Sequence, residues 1–212
     1  MTDLDAYILI GGRSSRLGRD KAVADLGGQS LAGRAFETVS EALPHTRVTF
    51  VAANEAQFAI QAIVAGGRFI FDLIEGRGPL GGLHAALSDT KAEWIFIMAC
   101  DYPFVSSEFI RLLTEKDRSG FGAVVPTQSD GRMQPLTALY RAETARPVVQ
   151  EIIDRPRVPP PLHEIVKELN PFVVNFDDYR HLPASEDLFT NVNTEAELDI
   201  AREIERKLSA EK

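Results

Sequence analysis

Short apolar runs alternate along this chain with longer stretches whose apolar residues recur at helical spacing, and that alternation leaves few folds open. The runs at residues 6–10, 47–53, 68–71 and 94–99 are predicted strands. Between them, residues 31–43 place Leu31, Ala35, Val39 and Leu43 on one helical face, with Ser30 as a cap and Pro44 as a stop. Further helices are predicted over 55–64, closed by Gly66 and Gly67, over 82–87, and over 106–116 with Ser106 or Ser107 as its cap. The strand runs are continuously apolar rather than alternating, as expected of strands covered on both faces. The chain is therefore expected to be α/β, a three-layer αβα sandwich with a mainly parallel central sheet.

The second half is less regular. Strands are predicted at 123–126, 136–140 and 172–176, the second antiparallel to its neighbour after a turn at Ser129, Asp130 and Gly131. A helix over 144–154 runs into "RPRVPPP" (155–161), read as a loop. Thr194 and Glu197 form a capping box for a last helix. With 212 residues one domain is expected.

Charge isolates one segment. The net charge is −8, which argues against a nucleic-acid binder. Yet "GGRSSRLGRDK" (11–21) gathers Arg13, Arg16, Arg19 and Lys21 directly after the first strand, where a parallel sheet presents its ligand edge. Neither GxGxxG nor GxxxxGK[ST] fits, since Gly12 and Gly18 are six apart and Lys21 lies three past Gly18. A backbone that can approach closely, with repeated positive charge, suits a triphosphate. Asp101 follows the apolar run 94–99 and is expected at a solvent-facing strand end, placed to hold Mg²⁺ against phosphates. Asp72 repeats the arrangement after residues 68–71, so three polar strand ends share one edge. Cys100 reads as a small core residue, the four histidines lack ligand spacing, and no run of apolar residues is long enough to span a membrane. A single cysteine suits a reducing compartment, and the cytoplasm is the expected location.

"ILIGGRSSRLGRDKA" (8–22) resembles the LAGGxSxRMGxDKA segment of the molybdenum cofactor guanylyltransferases. The likeness continues in "GPLGGL" (78–83), "CDYP" (100–103), "QPLTALY" (134–140) and "NVNTEAEL" (191–198). It implies a Rossmann-like nucleotide-diphospho-sugar transferase fold and transfer of GMP from GTP to molybdopterin or its molybdenum-loaded form, with release of pyrophosphate. It further implies that Leu9, Ile10, Gly11 and Gly12 hold the nucleotide and that Arg16 and Lys21 contact its phosphates. Asp72 would bind on the nucleotide side, and Asp101 both Mg²⁺ and nucleotide. Gly78, Pro79, Leu80, Gln134, Pro135, Asn191 and Asn193 fall on the pterin side. Implied partners are transient: molybdenum-insertion proteins, apo-molybdoenzymes or their chaperones, with the chain a monomer or weak oligomer.

Ile10 stands where alanine is usual, and its β-branch is expected to narrow the space near the base. Rival readings are a cytidylyltransferase acting on molybdopterin and a sugar-1-phosphate nucleotidyltransferase. Gly11-Gly12 favours GTP over CTP, and "QPLTALY" favours the pterin over a sugar. A non-catalytic delivery protein would be expected to have lost Lys21 or Asp101, and both are present.

Overall fold

The structure is a computed structural model that describes residues 3–11, 20–53, 57, 67–74, 76–155 and 158–210. The predicted helix over 55–64 therefore lies almost wholly outside the described residues, as do residues 156–157 of the RPRVPPP loop. Seven strands form one sheet: β1 (Leu4–Leu9), β4 (Val48–Ala52), β5 (Arg68–Phe71), β6 (Trp94–Ala99), β7 (Ala123–Pro126), β8 (Thr137–Arg141) and β9 (Pro171–Val174), in the order β5-β4-β1-β6-β8-β7-β9. Pairing is parallel throughout except on the two sides of β8. The sheet is thus mainly parallel, with β8 as the antiparallel strand expected from the turn signal.

Alternate residues of the central strands feed two separate cores. Ala6, Ile8, Phe96 and Met98 join one cluster, whereas Tyr7, Leu9, Ile95 and Ile97 join the other. This is the period-two geometry of a strand applied to a run apolar on both faces. On the first face lie α1 (Leu31–Ala42) and α3 (Ser107–Thr114), contributing Ala35, Val39, Phe109 and Leu113. On the second lie α2 (Pro79–Asp89), α4 (Ala142–Asp154) and α5 (Leu162–Glu168), contributing Leu83, Val149 and Ile165. The result is the three-layer αβα sandwich.

The helix starts follow local chemistry. The Ser30 hydroxyl accepts from the Gly33 N–H at 3.1 Å, and Ser106 caps α3 by accepting from Phe109 at 3.2 Å. α2 begins at Pro79 rather than residue 82, because Gly78 at φ +56° turns the chain and proline suits the first helical position. β9 stops at Val174 rather than 176: Asn175 and Asp178 form a capping box that opens α6 (Phe176–Tyr179).

Besides α6 and a 3₁₀ turn at Lys21–Val23, two more elements escaped the sequence reading. One is α5, whose Leu162, Ile165, Val166 and Leu169 do carry helical spacing. The other is a hairpin of β2 (Asp25–Leu26) and β3 (Gln29–Ser30), turned by Gly27 and Gly28 at φ +64° and +84°. Leu26 of that hairpin packs with Leu198 and Ala201 of α7 (Glu195–Ala210), so the last helix is fastened to the segment that follows Lys21.

Candidate active site

Because β1, β5 and β6 run parallel, their ends present Gly11, Asp72 and Asp101 along one edge of the sheet. Gly12, Arg13, Arg16 and Arg19 lie outside the described residues. The chain is described again at Asp20, whose carboxylate caps a single 3₁₀ turn, Lys21–Val23, by accepting from the Ala22 N–H at 3.0 Å. That turn aims Lys21 inward. Its Nζ lies 2.5 Å from Asp101 Oδ2 and 3.3 Å from Asn193 Oδ1.

Asp101 differs from the sequence expectation of a solvent-facing position, being only 8% exposed. Its backbone is held from two directions. Cys100 N–H donates to the Leu9 carbonyl at 3.1 Å, and the Asp101 carbonyl accepts from Val192 N–H at 2.9 Å. Asp101 Oδ1 is buried and has no hydrogen-bond partner among the described residues. Burial is the largest single influence on the Lys21 ammonium and pulls it down, but the charge and hydrogen bond of Asp101, with Cys100 and Asp20 nearby, together outweigh it and hold the lysine above its ordinary value. The lysine is therefore a fixed cation at neutral pH. Cys100, fully buried and next to Asp101, is pushed up to about 12, which makes it a core residue and no nucleophile.

Leu9 and Ile10 turn their side chains away from the ligand edge. Both side chains are buried, Leu9 against Gly82 and Ile10 in the opposite core cluster with Ala22. The Ile10 β-branch therefore packs inward and does not narrow a ligand site, correcting that expectation. These residues form the floor beneath Gly11. At Gly11 an added Cβ would come within 3.0 Å of Ala53 Cβ, so β1 and β4 close tightly there.

Asp72 is drawn to α2. Its Oδ1 accepts from Ile74 N–H at 3.2 Å, and a Cβ on Gly81 would collide with its carboxylate. The carboxylate thus sits on the first turn of an 11-residue helix, where the exposed N–H groups favour negative charge. Gly78 and Pro79 are exposed beside it, while Leu80 points into the core. These three do not line the cavity described next, since α2 follows β5 at the far side of the sheet.

That cavity, about 570 Å³, opens beside β8 and is lined by Gln134, Pro135 and Asn191, three of the residues that the resemblance puts on the pterin side. Gln134 is buried and accepts from the Tyr102 hydroxyl at 3.2 Å, and the Pro135 carbonyl accepts from Tyr140 at 2.7 Å. The cavity also exposes Arg132, His163 and Lys167, basic residues that the sequence reading missed because two of them lie on α5. Asn193 is placed elsewhere than Asn191. In "NVN" (191–193) the first asparagine faces the cavity, the buried Val192 is tied to Asp101, and the second asparagine meets Lys21. One short segment therefore joins the lysine–aspartate pair to the cavity. It leads into α7, where Thr194 Oγ1 accepts from Glu197 N–H at 3.2 Å. The Glu197 carboxylate returns to Asn193 N–H at 2.7 Å, one residue earlier than an ordinary capping box.

The chain is similar to known proteins in sequence and fold. Residues 6–163 match the family model described as the MobA-like NTP transferase domain. A protein of Pelotomaculum thermopropionicum named a probable molybdenum cofactor guanylyltransferase is 30% identical over 95% of this chain and 93% of its own length. Among solved structures, molybdopterin-guanine dinucleotide biosynthesis protein A of Archaeoglobus fulgidus superposes with a TM-score of 0.77 at 27% identity, covering 96% of this chain and 99% of its own. The 4-diphosphocytidyl-2C-methyl-D-erythritol synthase of Anaerococcus prevotii shares the fold at a TM-score of 0.71 and 12% identity, covering 97% and 99%. With a matching family model over residues 6–163 and a relative 30% identical over nearly the whole chain, the chain belongs to the MobA-like NTP transferase family.

Proposed function

We infer that the protein is a molybdenum cofactor guanylyltransferase, moving GMP from GTP onto the phosphate of molybdenum-molybdopterin and releasing pyrophosphate. The observation that carries this reading is the NVN segment. It places a charged lysine–aspartate pair next to a cavity with basic residues, so that donor and acceptor phosphates can meet between them. The N-terminal half would take the nucleotide and the C-terminal half the pterin.

An oxygen of the acceptor phosphate attacks the α-phosphorus of GTP in line. A new P–O bond forms as the bond to the β-phosphate oxygen breaks, and pyrophosphate leaves with that electron pair. Lys21 neutralises charge on the phosphates, joined by Arg16 from the loop. Gly11 and Gly12 give the nucleotide close backbone approach, and Asp72 and the α2 turn border it. Gln134, Pro135, Asn191 and the cavity cations orient the acceptor. Asp101 fits Mg²⁺: one carboxylate oxygen is buried and without a partner among the described residues, and Mg²⁺ typically takes one or two carboxylates with phosphate oxygens completing its shell. When bound, Mg²⁺ supplies charge stabilisation to the phosphates. We place the reaction in the cytoplasm, with the product passed on through transient contact with molybdenum-insertion proteins, apo-molybdoenzymes or their chaperones.

Calorimetry with a nucleotide panel in Mg²⁺ tests the base. GTP should bind at least about tenfold tighter than CTP, UTP or ATP, a difference of about 1.4 kcal/mol. Equal or tighter binding of CTP would sink the guanylyl assignment and leave the fold untouched.

A further inference from the structure

The basic loop leaves the sheet at Ile10 and Gly11 and returns at Asp20, and one buried side chain touches both ends. Gln57, 6% exposed, donates from Nε2 to the Ile10 carbonyl at 2.9 Å and to Asp20 Oδ2 at 2.7 Å. Its Oε1 accepts from Ala53 N–H at 2.8 Å. Both amide donors and the acceptor are thus spent on three segments: the end of β1, the end of β4, and the turn bearing Lys21. Asp20 passes the constraint on, because its other oxygen holds Ala22 N–H. The bonds then run from the sheet through Gln57 and Asp20 to the turn, and from Lys21 to Asp101.

The side chain suits this task in a way its near relatives do not. A leucine would leave the Ile10 carbonyl and an Asp20 oxygen without their donor. An ionised glutamate would set two carboxylates against each other.

We propose that Gln57 is a positioning residue for the transfer reaction: it clasps the neck of the basic loop and, through Asp20, fixes Lys21 against Asp101. Its kinetic consequence rests on the guanylyltransferase reading, but the clasp itself does not. A small displacement of a catalytic group is costly, so Gln57→Leu should lower kcat/KM by about tenfold or more. The loss should nearly vanish when Lys21 is already alanine, because a residue acting through Lys21 has nothing left to position.

Gln57→Glu supplies a second readout. Its protonated carboxyl can again donate to Asp20, so its activity relative to wild type should rise as the pH falls through its titration. Hydrogen exchange at Ala22 and Val23, measured on the whole chain, should quicken in Gln57→Leu, and this readout needs no activity.

If wild type transfers no GMP, the functional reading fails and the exchange measurement alone decides the clasp. Faster exchange at Ala22 and Val23, with the loss confined to the Lys21 background, supports the proposal. Unchanged exchange, equal proportional losses in both backgrounds, or a flat pH ratio for Gln57→Glu would overturn it.

Discussion

Lys21 is the residue on which the proposed chemistry turns, and its surroundings set what a substitution should do. Its ammonium sits between Asp101 and Asn193, with its affinity for the proton raised above the ordinary value. The stability this pair contributes is fully present below the unfolded lysine value, about 10.4, and is lost only as pH rises through the still higher folded one. Activity changes between about pH 7 and 9 must therefore come from other groups. Lys21→Ala should cost about 2–4 kcal/mol of transition-state stabilisation, as for one preorganised charged donor, read from kcat/KM. Arg16→Ala should raise KM for GTP and lower the rate, whereas Arg13→Ala and Arg19→Ala should show only a weak, salt-screened effect. Four equal losses that disappear in salt would mean that the cluster only attracts anions.

At the scale of elements, the join between β5 and α2 carries a specific constraint. A helical glycine usually gains about 0.5–1 kcal/mol on replacement by alanine. At Gly81 the added methyl would collide with the Asp72 carboxylate, so the sign should reverse. Gly81→Ala should destabilise by about 1–3 kcal/mol in urea titrations and weaken GTP binding as Asp72 is displaced. A stabilised variant with wild-type affinity would show that Asp72 moves freely and does not border the nucleotide.

The same elements show what the sequence could and could not disclose. Continuous apolar runs such as residues 94–99 announced parallel, doubly covered strands, because burial on both faces leaves no polar alternation. The capped helices were equally legible at Ser30 and Ser106. Helix α5 carried a readable period but lay beyond a proline-rich loop, and with it went His163 and Lys167. Gln57 gave no local signal, since a glutamine's importance lies in three partners distant in sequence. The inward packing of Leu9, Ile10 and Leu80 was hidden for a related reason: a motif names positions, not the direction of side chains.

For the molecule as a whole, the two edges of the sheet divide labour. One edge carries Asp72 and the Lys21–Asp101 pair, while the opposite edge is clasped. There Asp89 receives the Arg68 guanidinium at 2.7 Å and the Tyr7 hydroxyl at 2.8 Å, and Asp5 receives Arg47 at 2.6 Å. The hydrogen bond from Arg68, opposed by partial burial and aided by Tyr7, holds the Asp89 carboxyl below its usual value. Its contribution is thus present above the unfolded value, about 3.9, and fades as pH falls through the lower folded one. Asp89→Asn should cost on the order of 1 kcal/mol near neutral pH, discounted because the arginines are partly solvated, and the difference from wild type should shrink below about pH 4. A pH-independent difference in urea titrations would reduce the clasp to packing.

The account stands or falls on the transferred group. Incubating the protein with molybdenum-molybdopterin, Mg²⁺ and nucleotides labelled at the α-phosphorus reads that group directly. The structure and its family predict that label from GTP enters the pterin product with one pyrophosphate released per transfer. Label arriving from CTP, or pyrophosphate released with no labelled pterin, would contradict it.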